Sequence, residues 1–307
     1  GGAYDASFVL CKTEDTTGEY MGEEDNYVGG LEFIEANGGD MATSSLGYID
    51  WYTQGDLDGL TAVTTIAVNI ATANGLYCCT AAGNGGHDAD PATSALLAPA
   101  DALQVISCGA VDDLGVIASF SSDGPTADGR LKPEVLAQGV NTQTVSPSDD
   151  TLLTGVSGTS LSTPVVASAV ACLIQAHPDW TVEQMRTYLF ANASESAAGN
   201  GPDPMFVLGY GIVDALGALA ADCDGNGIAD SADIAAGTLP DCNANGIPDG
   251  CDIAFGNTAD ADGNGVPDVC DSQGTIPAVS QWGVVVMALL VLAAGSIFFP
   301  RRRRVRG

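Results

Sequence analysis

The stretch Gly158-Thr159-Ser160-Leu161-Ser162-Thr163-Pro164 runs into an apolar segment, Val165 to Ala176, with the length and composition of a buried helix. A serine at that junction stands at the positive end of a helix dipole, where its backbone N–H can face a developing negative charge. Pro164 suits a first helical turn, whose N–H groups have no partner inside the helix. A Ser/Thr cap on a core helix accounts for these residues structurally. A nucleophile set at a helix start accounts for them chemically.

Upstream, LYCCTAAGNG at residues 76–85 is a short apolar run ending in small residues and an asparagine. An asparagine amide there can aim a donor at a tetrahedral oxyanion beside the Ser160 N–H, although Asn-Gly also favours turns. The pattern Gly-Thr-Ser-x-Ser-x-Pro, taken with this segment, resembles the nucleophile and oxyanion signatures of the subtilisin-like serine peptidases, the subtilases. Further matches follow in that family's order: DMATSSLG at 40–47, VISCGAV at 105–111, FSSDGP at 120–125, KPE at 132–134 and GYGIVDA at 209–215. The resemblance covers residues 1 to about 221. It implies Ser160 as nucleophile and Asn84 as oxyanion donor. It also implies that Ser45, Leu46 and Gly47, with Ala81, Ala82 and Gly83, line the substrate backbone and its primary pocket.

A subtilase triad runs Asp, His, Ser along the chain, and its first two members precede the segment that GAYDASFVL at 2–10 resembles. The chain has two histidines, His87 and His177. His177 lies seventeen residues beyond Ser160, roughly 25 Å along a helix, which is too far for a base. His87 reads as a surface-loop residue. The expectation is therefore a catalytic domain lacking its N-terminal part, with the triad Asp and His, and inactive as it stands.

Alternating patterns support this plan. Ser7 to Lys12, Asp40 to Leu46, Leu76 to Ala82 and Gln104 to Val111 suit buried parallel strands, with helices expected at Glu24 to Asn37, Leu57 to Asn74 and Leu161 to Ala176. Thr181 and Gln184 fit a capping box that opens another helix. A last helix, Val213 to Ala221, should close the domain. The fold class expected is α/β: a subtilisin-like, doubly wound, mostly parallel sheet with helices on both faces. Cys11, Cys78, Cys79, Cys108 and Cys172 fall in these apolar runs and read as buried free thiols.

After Ala221 the sequence changes to a repeat of period 19: DCDGNGIAD at 222–230, DCNANGIPD at 241–249 and DADGNGVPD at 260–268. A hard cation such as Ca2+ takes six or more oxygens, and an EF-hand loop supplies them from positions 1, 3, 5, 7, 9 and 12 with glycine at 6. Here the first set is Asp222, Asp224, Asn226, the Ile228 carbonyl, Asp230 and Asp233. The second is Asp241, Asn243, Asn245, the Ile247 carbonyl, Asp249 and Asp252. The third is Asp260, Asp262, Asn264, the Val266 carbonyl, Asp268 and Asp271. Position 12 is Asp, one methylene shorter than the EF-hand Glu. The repeats more closely resemble thrombospondin type 3 repeats and dockerin loops, and a calcium-filled stalk is expected rather than a cohesin-binding module. Cys223 and Cys242 occupy position 2, and Cys251 and Cys270 position 11. The missing cysteines at the two ends of the array are what pairing between successive repeats would leave, giving Cys223–Cys251 and Cys242–Cys270. Such bridges imply an oxidising location outside the cytoplasm.

Residues 272–300 are uncharged, with an apolar core from Trp282 to Phe299, and Arg301 to Arg304 and Arg306 follow. Eighteen residues at about 1.5 Å each match a bilayer's hydrocarbon thickness. The arginines would stay cytoplasmic. IPAVSQWG at 276–283 resembles the Ile-Pro-Thr-Leu type of bacterial C-terminal sorting signal. That resemblance implies processing by an exosortase-like enzyme; a plain membrane anchor is the alternative.

The expected domains are 1–221 catalytic, 222–271 three calcium repeats, 272–281 linker and sorting motif, and 282–307 transmembrane helix with its arginine tail. Thirty-nine acidic residues face nine basic ones, and before the tail the only cationic side chains are Lys12, Arg130, Lys132 and Arg186. That balance excludes nucleic acid as a partner, since phosphate binding needs basic patches. The function expected is that of an exported, surface-attached serine endopeptidase acting on protein or peptide substrates, with no cofactor for catalysis. The rival reading is a noncatalytic, calcium-dependent surface protein of structural or adhesive role.

Overall fold

The computed structural model describes residues 2–15, 17–219, 230–254 and 256–271. Its centre is a four-stranded sheet built from β1 (Met41–Ser44), β2 (Tyr77–Ala81), β3 (Ile106–Val111) and β4 (Val135–Gln138). The strands lie in the order β1-β2-β3-β4 and every pairing is parallel. β2 and β3 are buried along their whole length, as strands covered on both faces must be.

Successive side chains leave a strand on opposite faces, and β2 shows the consequence. Tyr77 and Cys79 join a core with Val166, Val170 and Leu173 of α3 (Thr159–Ala176) and Met185 and Leu189 of α4 (Val182–Ala191). Cys78 joins a second core with Tyr27 and Leu31 of α1 (Gly22–Ala36) and Val68 and Ala71 of α2 (Val63–Ala73). The result is a helix–sheet–helix sandwich. The Thr181–Gln184 capping box opens α4 as expected. A hairpin, β5 (Thr142–Ser146) with β6 (Asp149–Val156), precedes α3. Two short helices, α5 (Ser194–Ala197) and α6 (Ala215–Leu219), follow α4.

Several expectations need correction. Ser7 to Lys12 forms no strand, and Phe8 and Leu10 are exposed. A strand exists only by pairing, and a groove lined by Cys11, Thr13, Tyr27, Leu31 and Thr43 separates this segment from β1. Cys11 is therefore an exposed free thiol, as is Cys172 on the outer side of α3; Cys78, Cys79 and Cys108 are buried. α2 starts at Val63 rather than Leu57, because a capping box of Thr53 and Asp56 winds residues Gln54–Asp56 into a separate turn of 3-10 helix.

The chain divides into two compact units, Gly1–Ala236 and Gly237–Gly307. The first ends in α7 (Asp230–Ala236). The second holds two loops with α8 (Asp249–Ala254) between them. Cys242 and Cys270 are disulfide-bonded. Cys251 is disulfide-bonded too; Cys223, its expected partner, lies outside the described residues. So do Asp222, Asp224, Asn226 and Ile228, the sorting motif and the apolar span. Among the described residues α3 alone is long and apolar enough to cross a membrane, and it is a core helix of the first unit.

Candidate active site

Ser160 is the second residue of α3, so the helix begins earlier than its apolar pattern suggests, and Pro164 lies within it. This has a chemical result. Proline has no N–H for the carbonyl four residues back, which is that of Ser160. The Ser160 carbonyl instead accepts the Ser45 hydroxyl at 2.8 Å. The Ser160 Oγ in turn points at the Ser45 carbonyl at 3.4 Å, a long contact that leaves the hydroxyl loosely held. The end of β1 and the start of α3 are thus tied together across the candidate nucleophile.

Asn84 is fixed from the same helix start. Its Oδ1 accepts the Thr159 N–H at 2.9 Å and the Thr159 Oγ1–H at 3.1 Å. Two donors on one atom decide the orientation of an amide whose ends are otherwise hard to distinguish. That leaves Nδ2 as the end of the amide not held by Thr159, on a residue that is itself exposed. Thr159 Oγ1 also lies within hydrogen-bonding distance of the Gly83 carbonyl, at 3.2 Å. Gly83 has φ +124°, and a Cβ there would stand 2.6 Å from Ser122 Oγ and 2.9 Å from Leu97 Cγ. Only glycine lets the chain turn there and pass so close.

The structure therefore brings Ser160, Asn84, Ser45 and Gly83 together. Ala81 and Ala82 lead into them as buried residues of β2 and its extension, and Leu46 and Gly47 follow Ser45 half-buried. The histidines are placed elsewhere. His177 caps the far end of α3 and stacks on Trp180 at 3.9 Å. His87 Nδ1 lies 3.3 Å from the Ser121 carbonyl. The buried thiols offer no alternative nucleophile beneath the site: burial pushes Cys78 up to about 12 and raises Cys79 and Cys108 as well.

Sequence reading missed two neighbours. Thr159 lies within the serine motif, but its role as the clamp on Asn84 depends on a contact 75 residues away in the chain. Leu97 lies between the two glycine-ended segments: a Cβ on Gly47 would be 2.6 Å from Leu97 Cβ. The signal available was a leucine pair set among small residues, TSALLAPA at 93–100.

In the second unit the two described loops repeat one hydrogen-bond pattern. Asp241 accepts the N–H groups of Asn245 and Gly246 at 3.2 and 2.9 Å. Asp260 accepts those of Asn264 and Gly265 at 3.0 and 2.9 Å. Position 9 accepts the N–H of position 2 in both: Asp249 from Cys242 at 2.9 Å and Asp268 from Ala261 at 3.0 Å. Position 12 receives the amide of position 5, Asp252 from Asn245 at 2.9 Å and Asp271 from Asn264 at 2.8 Å. Asn243 also donates to Asp252, and Asp262 accepts from the N–H of Asn264. Each loop is thus wrapped around its own carboxylates by backbone N–H and side-chain amide donors, and its oxygen-bearing residues are of the type a hard cation takes. Asp249 and Asp252 are buried. The described ion pairs Arg130–Asp128, Lys132–Glu134 and Arg186–Glu134 all belong to the first unit. Asp230 and Asp233, positions 9 and 12 of the first repeat, are buried on α7.

The Subtilase family model matches residues 1–211. Subtilisin E of Bacillus subtilis strain 168 is 34% identical over 194 residues, which cover 63% of this chain and 45% of that protein. Serine protease AprX of the same strain is 34% identical over 168 residues, 48% of this chain and 36% of its own length. The chain spans about half the length of the curated relatives it matches. Among solved structures, the self-cleaved protease domain of PatA aligns with a TM-score of 0.51 at 25% identity, covering 64% of this chain and 67% of that one. MycP1 with its N-terminal propeptide removed aligns with a TM-score of 0.51 at 20% identity, covering 68% of this chain and 71% of that one, a likeness of fold alone.

Proposed function

Because this chain belongs to the subtilase family, we propose that it serves a serine endopeptidase in which Ser160 is the nucleophile. Ser160 Oγ attacks the scissile carbonyl, and a histidine supplied from outside this chain takes its proton. The oxyanion that forms is held by the Ser160 N–H, at the positive end of α3, and by Asn84 Nδ2. The observation that carries this reading is the double hydrogen bond from Thr159 to Asn84 Oδ1. It leaves the donor end of the amide unheld by Thr159 before any substrate arrives, so little reorganisation is needed in the transition state. Ser45–Gly47 and Ala81–Gly83 would flank the bound peptide.

The test is labelling by a fluorophosphonate probe in the complete protein. Labelling that is lost in Ser160→Ala supports the assignment. Labelling retained in that variant removes Ser160 from the mechanism, and no labelling of the wild type favours a noncatalytic surface protein.

The domain division expected from the sequence remains part of this proposal, as do the calcium sites. Ca2+ would be held by Asp241, Asn243, Asn245, Asp249 and Asp252 in one loop and by Asp260, Asp262, Asn264, Asp268 and Asp271 in the next, with the Ile247 and Val266 carbonyls. Bound calcium would supply folding free energy that loops so acidic otherwise lack. The apolar span and arginine cluster would attach the protein to a membrane at an exported surface, and the motif before them would make an exosortase-like enzyme its processing partner. Release would follow removal of the tail.

A further inference from the structure

Leu97 is stitched between the two segments that flank Ser160. Its N–H donates to the Ala82 carbonyl at 3.1 Å, while Ala98 exchanges hydrogen bonds with Tyr48 at 3.1 and 2.9 Å. One residue beyond Ala82 is Gly83, and one before Tyr48 is Gly47. Leu96 and Ala98 are fully buried in a cluster with Leu57, Ala82 and Ala100. Leu97, between them, is half-buried and faces the other way, against both glycines. A Cβ on Gly47 would meet Leu97 Cβ at 2.6 Å and Cδ1 at 2.8 Å, and one on Gly83 would meet Leu97 Cγ at 2.9 Å. The isobutyl group fills the gap between the two segments, and its backbone is tied to each.

We propose that Leu97 is the specificity-determining residue of the site and that the peptide residue on the acyl side of the scissile bond is small: Ala, Gly or Ser. The inference rests on the reading of Ser160 as nucleophile and of 45–47 and 81–83 as the walls of the substrate cleft. A substrate side chain entering between those walls meets Leu97 as the floor. A methyl group is accommodated beside it. A benzyl or isobutyl group would require the leucine to move, yet its backbone is pinned on both sides and the core is close-packed behind it.

The complete protein is assayed with matched peptides that differ only in Ala or Phe before the scissile bond, in the wild type, Leu97→Ala and Leu97→Val. Pocket volume changes of one or two methylenes shift kcat/KM by about 10- to 200-fold. The wild type is expected to favour Ala by at least about tenfold, and the Phe-to-Ala ratio should rise at least about tenfold in Leu97→Ala and by less in Leu97→Val. Leu97→Val removes less of the side chain than Leu97→Ala and serves if the alanine variant fails to fold. A wild type that labels with fluorophosphonate but cleaves the Phe peptide as well as the Ala peptide overturns the assignment of Leu97, as does a ratio unchanged in the folded variants. A protein that neither labels nor cleaves overturns the nucleophile reading and this inference with it.

Discussion

Pro164 and Thr159 act on the site without touching a substrate. The first frees the Ser160 carbonyl for Ser45; the second turns Asn84. In the complete protein Asn84→Ala should lower kcat by about a hundred- to a thousandfold with little change in KM, the range known for losing such a donor in subtilisin. Thr159→Val keeps the N–H bond to Asn84 and removes the hydroxyl shared by Asn84 and the Gly83 carbonyl, so kcat should fall by roughly one order of magnitude. Steady-state kinetics separate the two. A Thr159→Val enzyme as impaired as Asn84→Ala would mean that the hydroxyl does more than orient the amide. Ser160 and Asn84 were legible because each sits in a local pattern of glycine and small residues. The clamp and Leu97 were not, because their meaning depends on segments brought together by the sheet.

The strands were legible where burial on both faces leaves a continuous apolar run, as in β2 and β3. Ser7 to Lys12 has the same look, but sequence carries no record of whether a partner lies alongside. β4 escaped notice because it is framed by charge: Lys132 and Glu134 are buried just before it, Lys132 bonded to Glu134 and to the Ala102 carbonyl, Glu134 also to Ser107 and Arg186. Burial pulls Lys132 down to about 8 against the attraction of Glu134, whereas an unfolded lysine titrates near about 10.4. Between those values the unfolded chain binds more protons, so this group's contribution makes the fold more stable as pH rises from about 8 to about 10. Below about 8 its cost is constant. Denaturant unfolding of wild type and Lys132→Met should show the wild type gaining on the variant across that window, and a flat difference would refute it. Within the repeats, Ala244 adopts φ +56° at a position where the third repeat has glycine. A left-handed L-residue costs about 1 kcal/mol, so Ala244→Gly should lower the calcium concentration at which the unit folds. Circular dichroism during a calcium titration measures it. Absence of any binding at millimolar calcium would overturn the sites themselves.

The whole molecule is a strongly acidic chain with five of its nine basic residues gathered at one end. A sorting signal needs 276–283 to be read by an enzyme, whereas an anchor needs only the apolar span and its arginines. In the native host the mature protein should lack residues 282–307, and changes at Pro277 should block their removal while leaving insertion intact. C-terminal mass spectrometry of surface-extracted protein decides it. A product still ending in the arginines would leave the anchor.

The Cys242–Cys270 bond joins residues 28 apart, one near the start of the first described loop and the other near the end of the second. A protease that severs the backbone once between them makes two polypeptides but not two molecules. On a non-reducing gel the nicked protein should run as a single species and separate only after thiol treatment. Calcium loss and a cut inside this span would thus leave the pieces leashed to each other, and the part beyond the cut would be shed only where a reductant was present as well as a cutting enzyme.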